Sequence, residues 1–242
     1  MGDVLPCQLM CGDARVLCAW FPDNCVDMIC TDPPYRKISG GNKNPAAPKG
    51  VLSENDGRLF EHNDIAPNEY LPELYRMLKP QGQMWLFTDF TNLEKMLAKV
   101  RASGFEIHNL FVWLKNTMNP NRWGMKNAEY IILARKGKAR ALYNPSLPTV
   151  IECDTVKPKD KTHPTQKPVE LIRKLVEASS LPGEIVFDPF GGSGTIIEAA
   201  FDRQVVMCEI NPVFVAEAHM RRVKMERELG DVQRPIHSDK PE

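Results

Sequence analysis

Apolar residues along this chain follow two rhythms. Short continuous apolar runs stop at turn formers, and between them apolar positions return every three or four residues. Residues 26–31 (Val-Asp-Met-Ile-Cys-Thr) read as a short buried strand. The next residues, Asp32-Pro33-Pro34-Tyr35, halt it, because two prolines cannot donate ladder hydrogen bonds. Gln83–Thr88, Phe105–Lys115, Glu129–Ala134, Glu184–Phe187 and Val205–Glu209 read as further strands. Glu69–Leu78 reads as a helix with Leu71, Leu74, Tyr75 and Leu78 on one face, stopped by the turn Lys79-Pro80-Gln81-Gly82. Asn92–Ser103 is helical with Gly104 as its C-terminal cap, and Pro168 suits the first turn of a helix ending at Ser179. Thr195–Phe201 and Pro212 to about Leu229 are the last helices. Two stretches lack periodicity, Arg36 to Asp64 and Lys136 to Lys161.

Strands alternate with helices almost throughout. That predicts an α/β three-layer sandwich around a mostly parallel sheet, with ligands beyond the carboxyl ends of the strands. One domain is expected over residues 1–230, with a mobile loop at 36–66 and a flexible tail at 231–242.

Composition narrows the function classes. The 242 residues carry 31 Lys+Arg and 31 Asp+Glu, a formal net charge of zero, and 43% are apolar. An overall basic coat is excluded, but nucleic acid is not, because binding depends on where charge sits. No run of about 18 apolar residues occurs, so no membrane span is expected. The start, Met1-Gly2-Asp3-Val4-Leu5-Pro6, fits neither a signal peptide nor a myristoylation site. Seven cysteines without a CxxC pair read as free thiols in a reducing, cytoplasmic compartment, not as a zinc site.

Two strand ends carry chemistry. The first is Asp188-Pro189-Phe190-Gly191-Gly192-Ser193-Gly194-Thr195, a strand end, a glycine loop and a helix start. It lets a ligand approach the backbone and the helix N-terminus. No Gly-Lys-Ser/Thr follows, so it is not a P-loop, and Ile197 replaces the third glycine of a dinucleotide fingerprint. Glu209 ends the next strand, where an acid accepts hydrogen bonds from both ribose hydroxyls. The half-site therefore suits a nucleoside without a pyrophosphate. The second is Asp32-Pro33-Pro34-Tyr35, which offers a carboxylate, carbonyls without competing N–H groups, and a flat ring. Such a set suits a planar substrate with an exocyclic amine, for example a nucleobase turned out of a duplex.

Together these residues resemble the amino-methylating DNA methyltransferases that use S-adenosylmethionine. Asp32–Tyr35 is similar to their catalytic motif and Asp188–Thr195 to their cofactor loop. His163-Pro164-Thr165-Gln166-Lys167-Pro168 is similar to the motif preceding that loop, and Lys79–Gly82 and Trp113-Leu114-Lys115 also fit. The catalytic motif precedes the cofactor loop, the permuted order of the family's β class. The resemblance covers about residues 9–225 and implies a Rossmann-like methyltransferase sheet. It implies cofactor contacts from Asp13, Asp32, Asp188, Phe190, Gly191, Gly192, Ser193, Gly194 and Thr195. Glu209 would hold the ribose and Ile210 would pack on the adenine. Asp13 would accept from the cofactor's amino group, and Thr165 and Lys167 would lie near its carboxylate.

The resemblance implies direct methyl transfer. Asp32 and the Pro33 carbonyl would accept the hydrogens of the target amine, Pro34 would complete the rigid turn, and Tyr35 would stack on the base. No covalent intermediate is needed, unlike cytosine-C5 methylation, whose Pro-Cys nucleophile and Glu-Asn-Val partner do not fit here. Within the family Asp at the first catalytic position leans toward adenine-N6 and Ser toward cytosine-N4, so Asp32 points to adenine. A cytosine-N4 enzyme, an RNA methyltransferase and a DNA-binding module without activity are the alternatives.

Double-stranded DNA is the expected partner. Arg36, Lys37, Lys43 and Lys49 form one basic segment without acids, and Arg135, Lys136, Lys138 and Arg140 open a second, continuing to Lys161. Both are expected to flank the site and contact phosphates. The stretch 136–161 is all that remains for target recognition, which implies a short or relaxed recognition sequence. The family adds a homodimer, a partner restriction endonuclease and a bacterial or phage-type cytoplasm with its nucleoid as expectations.

Overall fold

The apolar runs become the centre of one sheet. The computed structural model describes residues 7–34, 37–39, 52–54, 65–119, 123–160 and 166–232. In chain order the elements are β1 (Cys7–Cys11), α1 (Ala14–Cys18), β2 (Val26–Thr31), β3 (Lys37–Ser39), β4 (Leu52–Glu54), α2 (Pro67–Met77), β5 (Leu78–Thr88), α3 (Phe90–Ala102), β6 (Glu106–Asn119), β7 (Lys126–Arg135), β8 (Val150–Glu152), α4 (Val169–Ser179), β9 (Ile185–Asp188), α5 (Thr195–Ala199), β10 (Gln204–Glu209) and α6 (Pro212–Val232). Eight strands pair in the order β1-β10-β9-β2-β5-β7-β6-β8, and β3 and β4 form a separate two-stranded sheet. Within the eight-stranded sheet β7 runs antiparallel to both its neighbours, and every other pairing is parallel.

Both faces of the sheet are covered, which explains why its central strands are apolar without alternation. Met28, Cys30, Trp85, Phe87, Ile131 and Leu133 pack with Leu171, Leu175, Ile196 and Ala218, the face of α4, α5 and α6. Their sequence neighbours Ile29, Met84, Leu86 and Ile132 pack with Leu17, Leu71, Leu74 and Val100, the face of α1, α2 and α3. The period-2 pleat thus divides one apolar run between two cores. The buried Trp85 Nε1 donates to Ser179 Oγ at 2.7 Å and joins β5 to α4. The result is the expected three-layer α/β sandwich.

The differences from the sequence reading are local. The turn expected at Lys79–Gly82 is a bulge inside β5: Val26 pairs with Leu78, yet Met28 already pairs with Gln83. Gln81 supplies the left-handed residue there (φ 66°), and its N–H donates to Lys136 O at 2.8 Å. Pro168 stands at the N-cap of α4 rather than in its first turn. Strands β1 and β8 and the five-residue α1 leave no periodic signal in the sequence, because each is short and only part-buried. Residues 37–39 and 52–54 form a small antiparallel pair inside the expected loop, and α6 continues to Val232, into the expected tail.

Candidate active site

The Asp188–Thr195 loop needs glycine because a side chain at two of its positions would have no room. A Cβ on Gly191 would meet Met207 Cε at 2.2 Å, and one on Gly194 would meet Ala218 Cβ at 2.8 Å. Gly192 and Gly194 take left-handed backbone (φ 53° and 79°), which glycine adopts without strain. The loop leaves the end of β9 and is held against β10, where Gly191 N–H donates to Cys208 O at 2.9 Å. Phe190 packs edge-on against the buried Tyr70 ring, 5.0 Å between centroids.

Glu209, at the end of β10, closes this half-site. Its two carboxylate oxygens accept from Gly192 N–H at 2.9 Å and Asn211 N–H at 2.8 Å. Burial raises its pKa, and those backbone bonds draw it back only in part. Ile210 follows, half-buried. On the neighbouring strand end Gly12 N–H donates to Glu209 O at 2.9 Å, which brings Asp13 alongside. Asp13 also acts on its own helix. It caps α1 through Arg15 N–H at 2.8 Å and pairs with the Arg15 guanidinium at 2.6 Å.

The two motifs meet between β2 and β9. Thr31 Oγ1 donates to Asp188 Oδ1 at 2.7 Å, and Phe190 N–H donates to the same oxygen at 3.0 Å. Burial pushes the Asp188 pKa up to about 7 despite those two bonds. One residue beyond Thr31, Asp32 accepts from Lys167 Nζ. Lys167 Nζ also lies 3.3 Å from Glu129 Oε2, and Lys115 Nζ donates to the other Glu129 oxygen. Burial works against the Lys167 ammonium, but Asp32 and Glu129 outweigh it and hold its pKa above the ordinary lysine value. Burial likewise opposes Glu129 ionisation, but Lys167 and Lys115 keep its pKa below the usual range. Pro33 is buried and Pro34 half-buried beside this cluster. Ser193 and Thr195 are buried too, and Ser193 O accepts from Arg221 Nε at 3.1 Å.

This lining fits the implied cofactor. Asp13, Asp32, Asp188 and Glu209 put four carboxyl groups at adjoining strand ends, which suits a ligand bearing a sulfonium and an ammonium. The glycine loop supplies the close backbone approach a nucleoside needs. Thr31 and Glu129 enter the site only through the fold, and Lys115, the last residue of the Trp113-Leu114-Lys115 motif, joins them through Glu129. Their signal is a hydroxyl and two charges set within otherwise apolar strands.

One expectation is corrected. Arg135, Lys136, Lys138 and Arg140 do not flank this site. Arg135 ends β7 and pairs in register with Gln83, just past the β5 bulge, and with Glu106 at the amino end of β6. Because β7 runs antiparallel, its last residue lies at the sheet edge opposite the motifs. There Arg135 pairs with Glu106 at 2.5 Å, Lys136 Nζ donates to Asn24 Oδ1 at 2.8 Å, and Arg140 donates to Ser179 O at 2.9 Å. Strand β8 then returns the chain to the motif edge, where Lys157 and Lys159 are exposed. Tyr35, Arg36, Lys43, Lys49 and Thr165 lie outside the described residues, and of Lys37 only the strand backbone is described.

Known proteins share this chain's sequence pattern and fold. A family model described as DNA methylase, of the N6/N4 type, matches residues 26–150 and 146–220. Type II methyltransferase M2.MboI of Moraxella bovis is 30% identical over 213 residues, spanning 78% of this chain and 77% of its own. Type II methyltransferase M2.DpnII of Streptococcus pneumoniae is 31% identical over 192 residues, spanning 70% and 71%. In fold, the cytosine-N4-specific PvuII DNA methyltransferase superposes with a TM-score of 0.69 at 17% identity, over 95% of this chain and 92% of that one. The M1.HpyAVI structure with S-adenosylmethionine gives 0.65 at 22% identity, over 89% and 99%. The chain belongs to the N6/N4 family of DNA methylases, the amino-methylating DNA methyltransferases.

Proposed function

We propose that this chain transfers a methyl group from S-adenosylmethionine to the N6 amine of adenine in duplex DNA, with the base turned out of the stack. The observation that carries the reading is the 2.7 Å bond from Thr31 to Asp188. It fastens the amine-accepting motif to the cofactor loop, although 157 residues separate them. The choice of adenine rests on Asp32 at the first catalytic position.

Bound cofactor supplies an electrophilic methyl on a sulfonium. The chain does the rest by position and charge. An aromatic amine is a poor nucleophile because its lone pair is delocalised into the ring. Asp32 and the Pro33 carbonyl accept its two hydrogens and draw the nitrogen toward a pyramidal geometry, which frees the lone pair for in-line attack. The carbon–nitrogen bond forms as the carbon–sulfur bond breaks, and the surplus proton leaves through Asp32 toward solvent. Tyr35 stacks on the base.

DNA binds across the carboxyl edge of the sheet. Lys126, Lys157 and Lys159 are exposed on that side, and Arg36, Lys37, Lys43 and Lys49 follow the catalytic motif directly. Exposed apolar side chains stand there too, with Phe90 71%, Met118 62% and Trp123 88% accessible. Target recognition falls to the stretch after β8 within 136–161. Because the named relatives are Type II methyltransferases, a partner restriction endonuclease and a bacterial cytoplasmic setting belong to the same proposal.

Methyl-labelled cofactor offered with duplex DNA, RNA and free nucleosides tests this directly. Label is expected in duplex DNA, with Asp32→Ala reducing its rate at least about 100-fold. Label confined to RNA or nucleosides, or an Asp32→Ala protein of full activity, would overturn it.

A further inference from the structure

The structure assigns Glu129 a positioning role: it holds the Lys167 ammonium so that Asp32 keeps its capacity to accept from the target amine. The inference rests on the proposed methyl transfer for Asp32's part, but the placement of Lys167 stands by itself.

Lys167 is only 9% exposed and approaches Asp32 from the α4 side of the sheet, its ammonium 5.2 Å from the centre of the Phe87 ring. A cation so enclosed needs close anionic partners. Asp32 alone would meet that need, but at a loss to catalysis. A carboxylate that carries the whole of a buried lysine's charge is a weaker acceptor for a neutral amine. Glu129, 3.3 Å away on β7, takes a share of that charge.

Glu129 is itself fixed. It pairs in register with Trp113 on β6, and Lys115, two residues along the same face, donates to it. The Lys115 ammonium also lies 4.7 Å from the Trp113 ring centre. The four groups therefore alternate in sign along a line: Asp32, Lys167, Glu129, Lys115. The line sums to zero charge, and among the described residues Glu129 is the carboxylate that links the two lysines. Without its charge, the Lys167 ammonium would lean on Asp32, and Lys115 would give up its ion pair.

The test compares Glu129→Gln and Glu129→Asp with the parent protein. Two quantities are read: single-turnover methyl transfer to duplex DNA, and the nitrogen-15 NMR signal of the Lys167 ammonium, assigned through its absence in Lys167→Arg. Glu129→Gln is expected to slow methyl transfer about 10- to 100-fold while DNA affinity stays within threefold. It is also expected to move the Lys167 ammonium signal recorded at neutral pH, because one of its two carboxylate partners loses its charge. Glu129→Asp keeps the charge and should recover to within about fivefold of the parent rate.

A Lys167 signal unmoved in the Gln variant would overturn the proposal. So would a rate loss that merely tracks the fraction of folded protein. A parent protein that methylates nothing would refute the proposed function instead, and the ammonium signal would still decide whether Glu129 holds Lys167.

Discussion

Asp188 makes the residue scale measurable. Its carboxyl titrates near pH 7 in the folded chain, chiefly through burial, against about 3.9 for an exposed aspartate. The folded state thus holds a proton that the unfolded chain has already released between pH 4 and pH 7. The contribution of this group to stability is complete below about pH 4 and is lost as pH rises through 7. A cationic cofactor favours the ionised form, so its binding should displace that proton. Calorimetry in buffers of different ionisation enthalpy should show proton release below pH 7. Affinity should rise toward a plateau above 7, by at most about tenfold per pH unit. Asp188→Asn should flatten that dependence; an unchanged pH profile in this variant would assign the titration to another group. Gly191 makes a second residue-level prediction. Its missing Cβ is filled by Met207, so Gly191→Ala should lose about 1–3 kcal/mol in denaturant unfolding. In a Met207→Ala background the same glycine substitution should cost less, because the truncated side chain makes room, and a double-mutant cycle reads that difference. Both residues were legible in sequence as parts of a motif. Glu129 and Thr31 were not, because their roles depend on strand register and on a neighbour 157 residues away.

At the scale of elements, periodicity located most helices and central strands, since each buries a run long enough to show its rhythm. It missed β1, β8 and the pair β3–β4, where three to five residues carry too little pattern. It also could not supply the direction of β7. That direction is what moves Arg135–Arg140 away from the site, and it separates two basic clusters that look continuous in sequence. Replacing both Lys138 and Arg140 with Ala should therefore leave DNA affinity and its salt dependence as they were. Replacing Lys157 and Lys159 with Ala should weaken binding and reduce the log–log salt slope by about one to two, near 0.9 for each phosphate no longer neutralised. Fluorescence anisotropy over a salt series on a DNA duplex reads both. A slope lowered by the first pair and untouched by the second would reverse the orientation of DNA on the sheet.

For the whole molecule, zero net charge conceals an arrangement. Carboxyl groups gather at adjoining strand ends where a cationic cofactor would sit, and exposed lysines stand at the same edge of the sheet. Permuted motif order does not disturb this, because β2 and β9 are neighbours in the sheet whatever their order in the chain. The fold follows from that architecture and the family from the sequence match, while adenine as the methylated base is a proposal from Asp32. The most direct measurement is mass spectrometry of nucleosides released from duplex DNA after incubation with the protein and S-adenosylmethionine. N6-methyldeoxyadenosine is expected, and it should be absent with Asp32→Ala. N4-methyldeoxycytidine in its place, or no methylated nucleoside at all, would contradict that.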